Sequence, residues 1–199
     1  LASAATTAAP PPTSAWVATS NVHTTQALEA QAKFSPEEAS NAGLTQFDGL
    51  TADLGPNINE RYVSAMQAVL ARLKKHLQGE KDLRVRQDMG ILVSSIDNKI
   101  AKIRLEEKYI LPWVDVPQLM FSSLRGLLQE QLPVVRRAKA LERLQRYVGL
   151  TPHSVPLTEQ AKARFMERRG KPGLQGPFKG RVEKSLANVP AYIKGIRDL

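Results

Sequence analysis

Apolar residues recur every three or four positions through most of this chain, the period of a helix buried along one face. The clearest run spans about Asn57 to Gln78, where Tyr62, Met66, Val69 (or Leu70), Leu73 and Leu77 form one stripe. A second long helix follows, with Asp82 as its cap and Val85, Met89, Leu92, Ile96, Ile100 and Ile103 as its stripe. The turn around Gly79 is short, which predicts an antiparallel hairpin of the two.

The flanking elements are shorter. "TSNVHTTQALEAQAKF" carries Val22, Leu28 and Ala32 at loose helical spacing. In "SPEEAS", Ser35 caps, Pro36 suits the first helical position and Glu38 completes a capping box, with Gly43 ending the helix. "LTQFDGLTADLGP" alternates apolar and turn residues and reads as a looped crossing. The prolines of "YILPWVDVPQ" interrupt the pattern before Asp115 caps a helix over Val116 to Glu130. Pro133 opens another through Val148, closed by Gly149 in a left-handed stop position. On that helix Val135, Ala138, Leu141, Leu144 and Val148 are the expected buried stripe, with Arg136, Arg137, Lys139, Arg143 and Arg146 outside. Thr158 caps "EQAKARFMERR", and two short helical stretches divided at Asn188–Pro190 close the chain. Val189, Ile193 and Ile196 form a last apolar stripe with no partner left in the sequence. Neither a period-two strand nor an Asn-Gly hairpin turn occurs. The expected fold is all-α, a multi-helix antiparallel array or bundle.

Composition changes the picture mainly at the amino terminus. Residues 1–15, "LASAATTAAPPPTSA", hold too little apolar bulk to fold and are expected to be a disordered Ala/Pro/Thr tail; residues 16–199 form the helical part. The tail resembles what lies beside a signal cleavage site, which leans towards an exported, periplasmic or secreted protein. No run reaches the roughly 18 apolar residues of a membrane span. The absence of cysteine excludes disulfides, thiolate metal sites and a cysteine nucleophile. Charge is uneven: the first 60 residues carry one Lys/Arg against six Asp/Glu, and the remainder 27 against 13. Such a basic body admits a second functional class, a non-enzymatic helical module that binds an acidic partner.

Candidate chemistry is sparse. "GKPGLQGPFKG", Gly170 to Gly180, is glycine-rich, yet it lacks the Gly-Lys-Ser/Thr ending and the preceding strand of a phosphate loop. Pro172 and Pro177 also delete two backbone N–H groups that such a cradle would use. The loop reads as a joint between helices, with Lys171 and Lys179 as candidates to line a cleft for a carboxylate or phosphate. His23, His76 and His153 fit no His-Glu-x-x-His pattern, and Lys74 and Lys75 beside His76 disfavour a cation there. Glu106 and Glu107 are adjacent and diverge on a helix, unlike paired acid–base carboxylates. No Gly-x-Ser-x-Gly elbow exists. Trp113, Phe121, Tyr147 and Phe165 sit on apolar faces without interleaving the cations, so nucleic acid is not the expected partner.

Several phrases together resemble a known family. "AWVATSN", "AKFSPEEASNAGL", "EKDLRVRQDMGILV", "EKYILPWVDV", "RLQRYVGL" and "GKPGLQGPFKGRVEKSLANVPAYIKGI" are similar, in order, to the front part of the bacterial domain-of-unknown-function 885 family. The resemblance implies a mostly helical, exported protein similar to zinc-dependent peptidases, whose metal site is a His-Glu-x-x-Pro-Gly-His stretch far towards the carboxyl terminus. In such an enzyme a zinc-bound water would attack the peptide carbonyl while a glutamate takes its proton. Nothing in this sequence matches that motif, so no catalytic or metal residue carries over and zinc is implied for the whole protein only. The expectation is therefore an amino-terminal helical lobe, truncated at its carboxyl end. It would shape the substrate cleft for a peptide, with the missing carboxyl-terminal portion as its partner.

Overall fold

The structure, a computed structural model, describes residues 14–199; the expected tail falls almost wholly outside the described residues, and Ala15 already opens the first helix. The described chain is all-helical, without a strand. In order come α1 (Ala15–Ala32), α2 (Pro36–Asn41), a single 3-10 turn (Thr45–Phe47), α3 (Ile58–Gly79), α4 (Leu83–Tyr109), α5 (Val116–Leu127), α6 (Val134–Arg137), α7 (Lys139–Tyr147), α8 (Leu157–Arg168) and α9 (Lys179–Asp198). The one trace of β pairing is an isolated bridge between Ile110 and Gln175.

The first layer follows the hydrophobic period. Glu80 Oε1 accepts from the amides of Lys81 and Asp82 at 2.7 and 2.9 Å, and Asp82 Oδ1 accepts from the Arg84 amide at 2.9 Å. These bonds satisfy donors that the start of α4 would leave unpaired, and they fold α4 back along α3. Tyr62, Met66, Val69, Leu70 and Leu73 of α3 meet Val85, Met89, Ile96 and Ile100 of α4 in one core. Each such side chain contributes roughly 1.5–3 kcal/mol by leaving water.

α1 covers this pair, but of the face its spacing suggests only Ala32 is buried. Val22 and Leu28 stay exposed at 54% and 39%, whereas Ser20, Ala27 and Ala32 are buried. Small side chains let α1 lie close on the larger α3 and α4 residues, with Trp16 and Phe34 filling the ends.

The second layer departs further from the pattern. The expected helix from Pro133 is two pieces meeting at Ala138, and its buried face is Ala140, Arg143 and Tyr147. Val135, Leu141 and Val148, expected inside, are exposed, while Arg143 has no exposed surface. Polar partners from the preceding segments cause this inversion. Arg143 donates from Nη1 to Ser123 Oγ at 2.7 Å and from Nη2 to the Phe47 carbonyl at 2.9 Å. Arg136 donates through Nε and Nη2 to the two Asp48 oxygens at 2.7 and 2.9 Å, and through Nη2 to the Ser40 carbonyl at 2.8 Å. The Ser40 hydroxyl closes on Asp48 at 2.6 Å. Buried Glu37 accepts from the Tyr147 hydroxyl and the Ala52 amide, each at 2.8 Å. Burial pushes the Asp48 carboxyl up, but hydrogen bonds from Arg136 and Ser40 outweigh it and hold the group below its ordinary value. Burial, and then the Glu37 charge, push the Tyr147 hydroxyl well up, so it stays a donor.

Three smaller expectations are also corrected. Ser35 and Pro36 do start α2, but no side-chain cap forms: Glu38 faces solvent and Glu37 turns inward instead. α8 begins at Leu157 after Pro156, one residue ahead of the expected cap Thr158, because Leu157 is drawn into a cluster with Val116 and Tyr147. The last two stretches are one helix, α9, with Pro190 inside it. Proline removes a single N–H, and beyond it α9 is held along α5. Its Tyr192 ring lies 5.4 Å from that of Phe121, and Ile196 packs with Leu124, Leu127 and Ala140. The stripe expected to lack a partner therefore has one at Ile196, while Ile193 remains 46% exposed. At Gly195 a Cβ would sit 2.4 Å from Phe121 Cε2, so only glycine permits this approach.

Candidate functional site

The segment between α4 and α5 and the loop between α8 and α9 form adjoining parts of the wall of a cleft. Pro112 keeps the first segment out of helix, so the chain runs extended past Trp113 and Val114. Gly170, Gly173 and Gly176, at φ of +86°, +83° and +89°, give the second loop turns that side-chain-bearing residues resist. Two backbone bonds stitch the segments together: the Leu111 amide to the Gln175 carbonyl and the Gln175 amide to the Tyr109 carbonyl, both 2.8 Å. Arg168, at the end of α8, adds a third tie by donating from Nη2 to the Glu107 carbonyl. The glycine-rich loop is thus a joint, as its composition indicates, and its position makes it a wall.

Two adjoining concavities result, of about 540 and 290 Å³, sharing Asn59, Glu107, Pro112, Val114 and Arg168. The larger has Phe34, Ile58, Tyr62 and Ile103 among its apolar lining. Trp113, Pro177 and Phe178 line the smaller, where the Arg181 guanidinium lies 4.9 Å over the Trp113 ring.

Lys171 lines the larger concavity. Lys179 does not: it opens α9 with its side chain 87% exposed, 3.7 Å from Glu183 Oε1. Of the adjacent carboxylates, Glu106 pairs with Lys102 at 3.7 Å, and Glu107 lines both concavities. The sequence reading missed Arg168, Arg181 and Trp113. Trp113 does interleave with a cation here, and its one sequence signal is the pair of prolines that bracket it.

His76 is brought to His23, a pairing invisible in sequence because the two lie on different helices. Their ring centroids are 5.3 Å apart, in a concavity of about 520 Å³ also lined by Arg72, Lys75 and Glu80. Burial, and then the neighbouring His76, hold the His23 imidazole below its ordinary value, against a smaller upward pull from Glu80. Two cations beside the pair make it a poor seat for a divalent ion. No group of three or more metal-capable side chains occurs among the described residues. The zinc of the resembling family therefore finds no fitting donor set here, and no helix among the described residues is long and apolar enough to cross a membrane. No protein-family model, curated protein or solved structure matches the chain.

Proposed function

We propose that this chain is the amino-terminal helical lobe of an exported, zinc-peptidase-like hydrolase, and that it walls the cleft through which a peptide reaches chemistry borne by further polypeptide. One observation carries the reading. The most distinctive phrase of the family resemblance, "GKPGLQGPFKG", together with "EKYILPWVDV", supplies much of the rim and lining of the cleft. Two phrases about sixty residues apart converge on one concavity that mixes apolar surface with both signs of charge, as a peptide requires. The lobe itself binds and restricts; it makes no bond.

A peptide bearing a photoreactive benzophenone, irradiated with the purified chain and mapped by mass spectrometry, is expected to label residues 110–114 or α8. Labelling confined to other faces, or none, rejects the reading. The alternative of a basic module for an acidic partner loses part of its footing, since Arg143 and Arg136 are spent on internal partners. It predicts binding to heparin that falls steeply with salt.

A further inference from the structure

We propose that the cleft contains a carboxylate-binding subsite centred on Arg168, with Lys171 beside it in the larger concavity and Arg181 in the smaller, which receives the free C-terminal carboxylate of a bound peptide. This deepens the peptide-cleft reading and rests on it.

The charge pairing within the cleft narrows the cationic candidates to these residues and Lys99 of α4, which also lines it without an ion pair. Asp53, Glu106 and Glu167 line it, but each is taken by an ion pair with Arg61, Lys102 and Arg164 respectively. Arg168, Lys171 and Arg181 take part in no ion pair among the described residues. Arg168 is fixed by its bond to a neutral carbonyl, which positions the guanidinium without cancelling its charge. Its Nε is buried and has no hydrogen-bond partner. A buried N–H left unpaired costs free energy that an arriving acceptor restores, and guanidinium Nε with a terminal nitrogen matches the two oxygens of a carboxylate. Arg181 is held with its guanidinium carbon 4.9 Å over the Trp113 ring, a contact that leaves its charge unneutralised. Lys171, exposed on the loop, lines the larger concavity with Arg168 and supplies a further donor.

The ligand's other features follow from the rest of the lining. Glu60 and Glu107 line the same cleft without an ion pair, which disfavours a dianion and offers an acceptor to a ligand's ammonium group. Phe34, Ile58 and Ile103 suit aliphatic side chains between the two ends. A short zwitterionic peptide satisfies all three conditions; inorganic phosphate satisfies one.

The test uses trileucine, its C-terminal amide and inorganic phosphate, titrated into the ¹⁵N-labelled chain with the arginine Nε–H resonances as readout. Trileucine is expected to move the Arg168 signal and to bind at least about tenfold tighter than the amide, the equivalent of about 1.4 kcal/mol. Arg168→Gln and Lys171→Gln should each erase most of that difference. Lys171 is exposed, so its substitution leaves folding intact; Lys179→Gln, outside the cleft, should preserve the difference. Equal affinity for acid and amide overturns the carboxylate subsite and leaves the peptide cleft standing. Absence of binding by either peptide overturns both. A preference for the acid that survives both substitutions, or an Arg168 shift produced by phosphate and not by trileucine, also overturns the proposal.

Discussion

In the layer of α1, α3 and α4 the most deeply buried side chains are Met66, Met89 and Val85; in the layer of α2, α5 and α7 they include Arg143, Asp48 and Ser40. Both layers are helical, and both are assembled from segments with ordinary amphipathic spacing. The first is held by hydrocarbon, whose attraction is non-directional and tolerates small adjustments. The second adds to its own hydrocarbon, Leu124, Leu127 and Ala140, a set of charges and hydroxyls that must meet at set angles and distances. A hydrocarbon core announces itself in the sequence, whereas an ionic core hides there as an apparent surface.

That contrast can be broken by substitution. The largest effect is expected from Asp48→Ala, which strips the largely buried Arg136 guanidinium of its carboxylate and leaves the Ser40 hydroxyl without its acceptor. A loss of about 3–5 kcal/mol is expected from urea unfolding of the variant. A loss under about 1 kcal/mol would mean that water, rather than the carboxylate, serves Arg136. Leu73→Ala in the hydrocarbon layer should cost about 3 kcal/mol in the same assay, through lost burial and a residual cavity. Its cost is graded, so Leu73→Met should recover most of it, while Asp48→Asn should recover little.

Acidity sharpens the comparison with a smaller effect. His23 has its folded value lowered from 6.5, so the unfolded chain binds the extra proton more readily. The stability this represents is complete above 6.5 and declines as pH falls through that value towards the folded one. Asp48 is lowered from 3.8, so its contribution persists through that window and is lost only as pH falls below the ordinary carboxylate range. Amide exchange in α1 should therefore quicken between about pH 7 and about pH 5 while α7 stays protected, and His23→Gln should flatten the response. Simultaneous loosening of both helices would show that the two layers unfold as one unit.

The same division governs what could be read before folding. The stripes of α3 and α4, the Asp82 and Asp115 caps and the left-handed Gly149 were all legible, because each depends on residues a few positions apart. The face of α7 was not. Valine and leucine outrank arginine on any hydropathy scale, and nothing local to Arg143 reveals Phe47 and Ser123, which lie 96 and 20 positions away. The cleft was half legible for the same reason. Lys171 stood out within its loop, but Arg168 looks like one more charge on a basic helix until Glu107, 61 residues earlier, comes up against it.

Gly195 makes α9 a lever. The close seat against Phe121 fixes the helix near its carboxyl end, while Arg181 and Phe178 at the other end form part of the cleft rim. Those ends are separated by about 21 Å at the helical rise per residue, so a tilt of about 10° at the pivot carries the rim by about 4 Å. A side chain larger than hydrogen at residue 195 must displace either the Phe121 ring or the helix, and where the helix yields, the width of an opening about 21 Å away is reset without touching a residue that lines it.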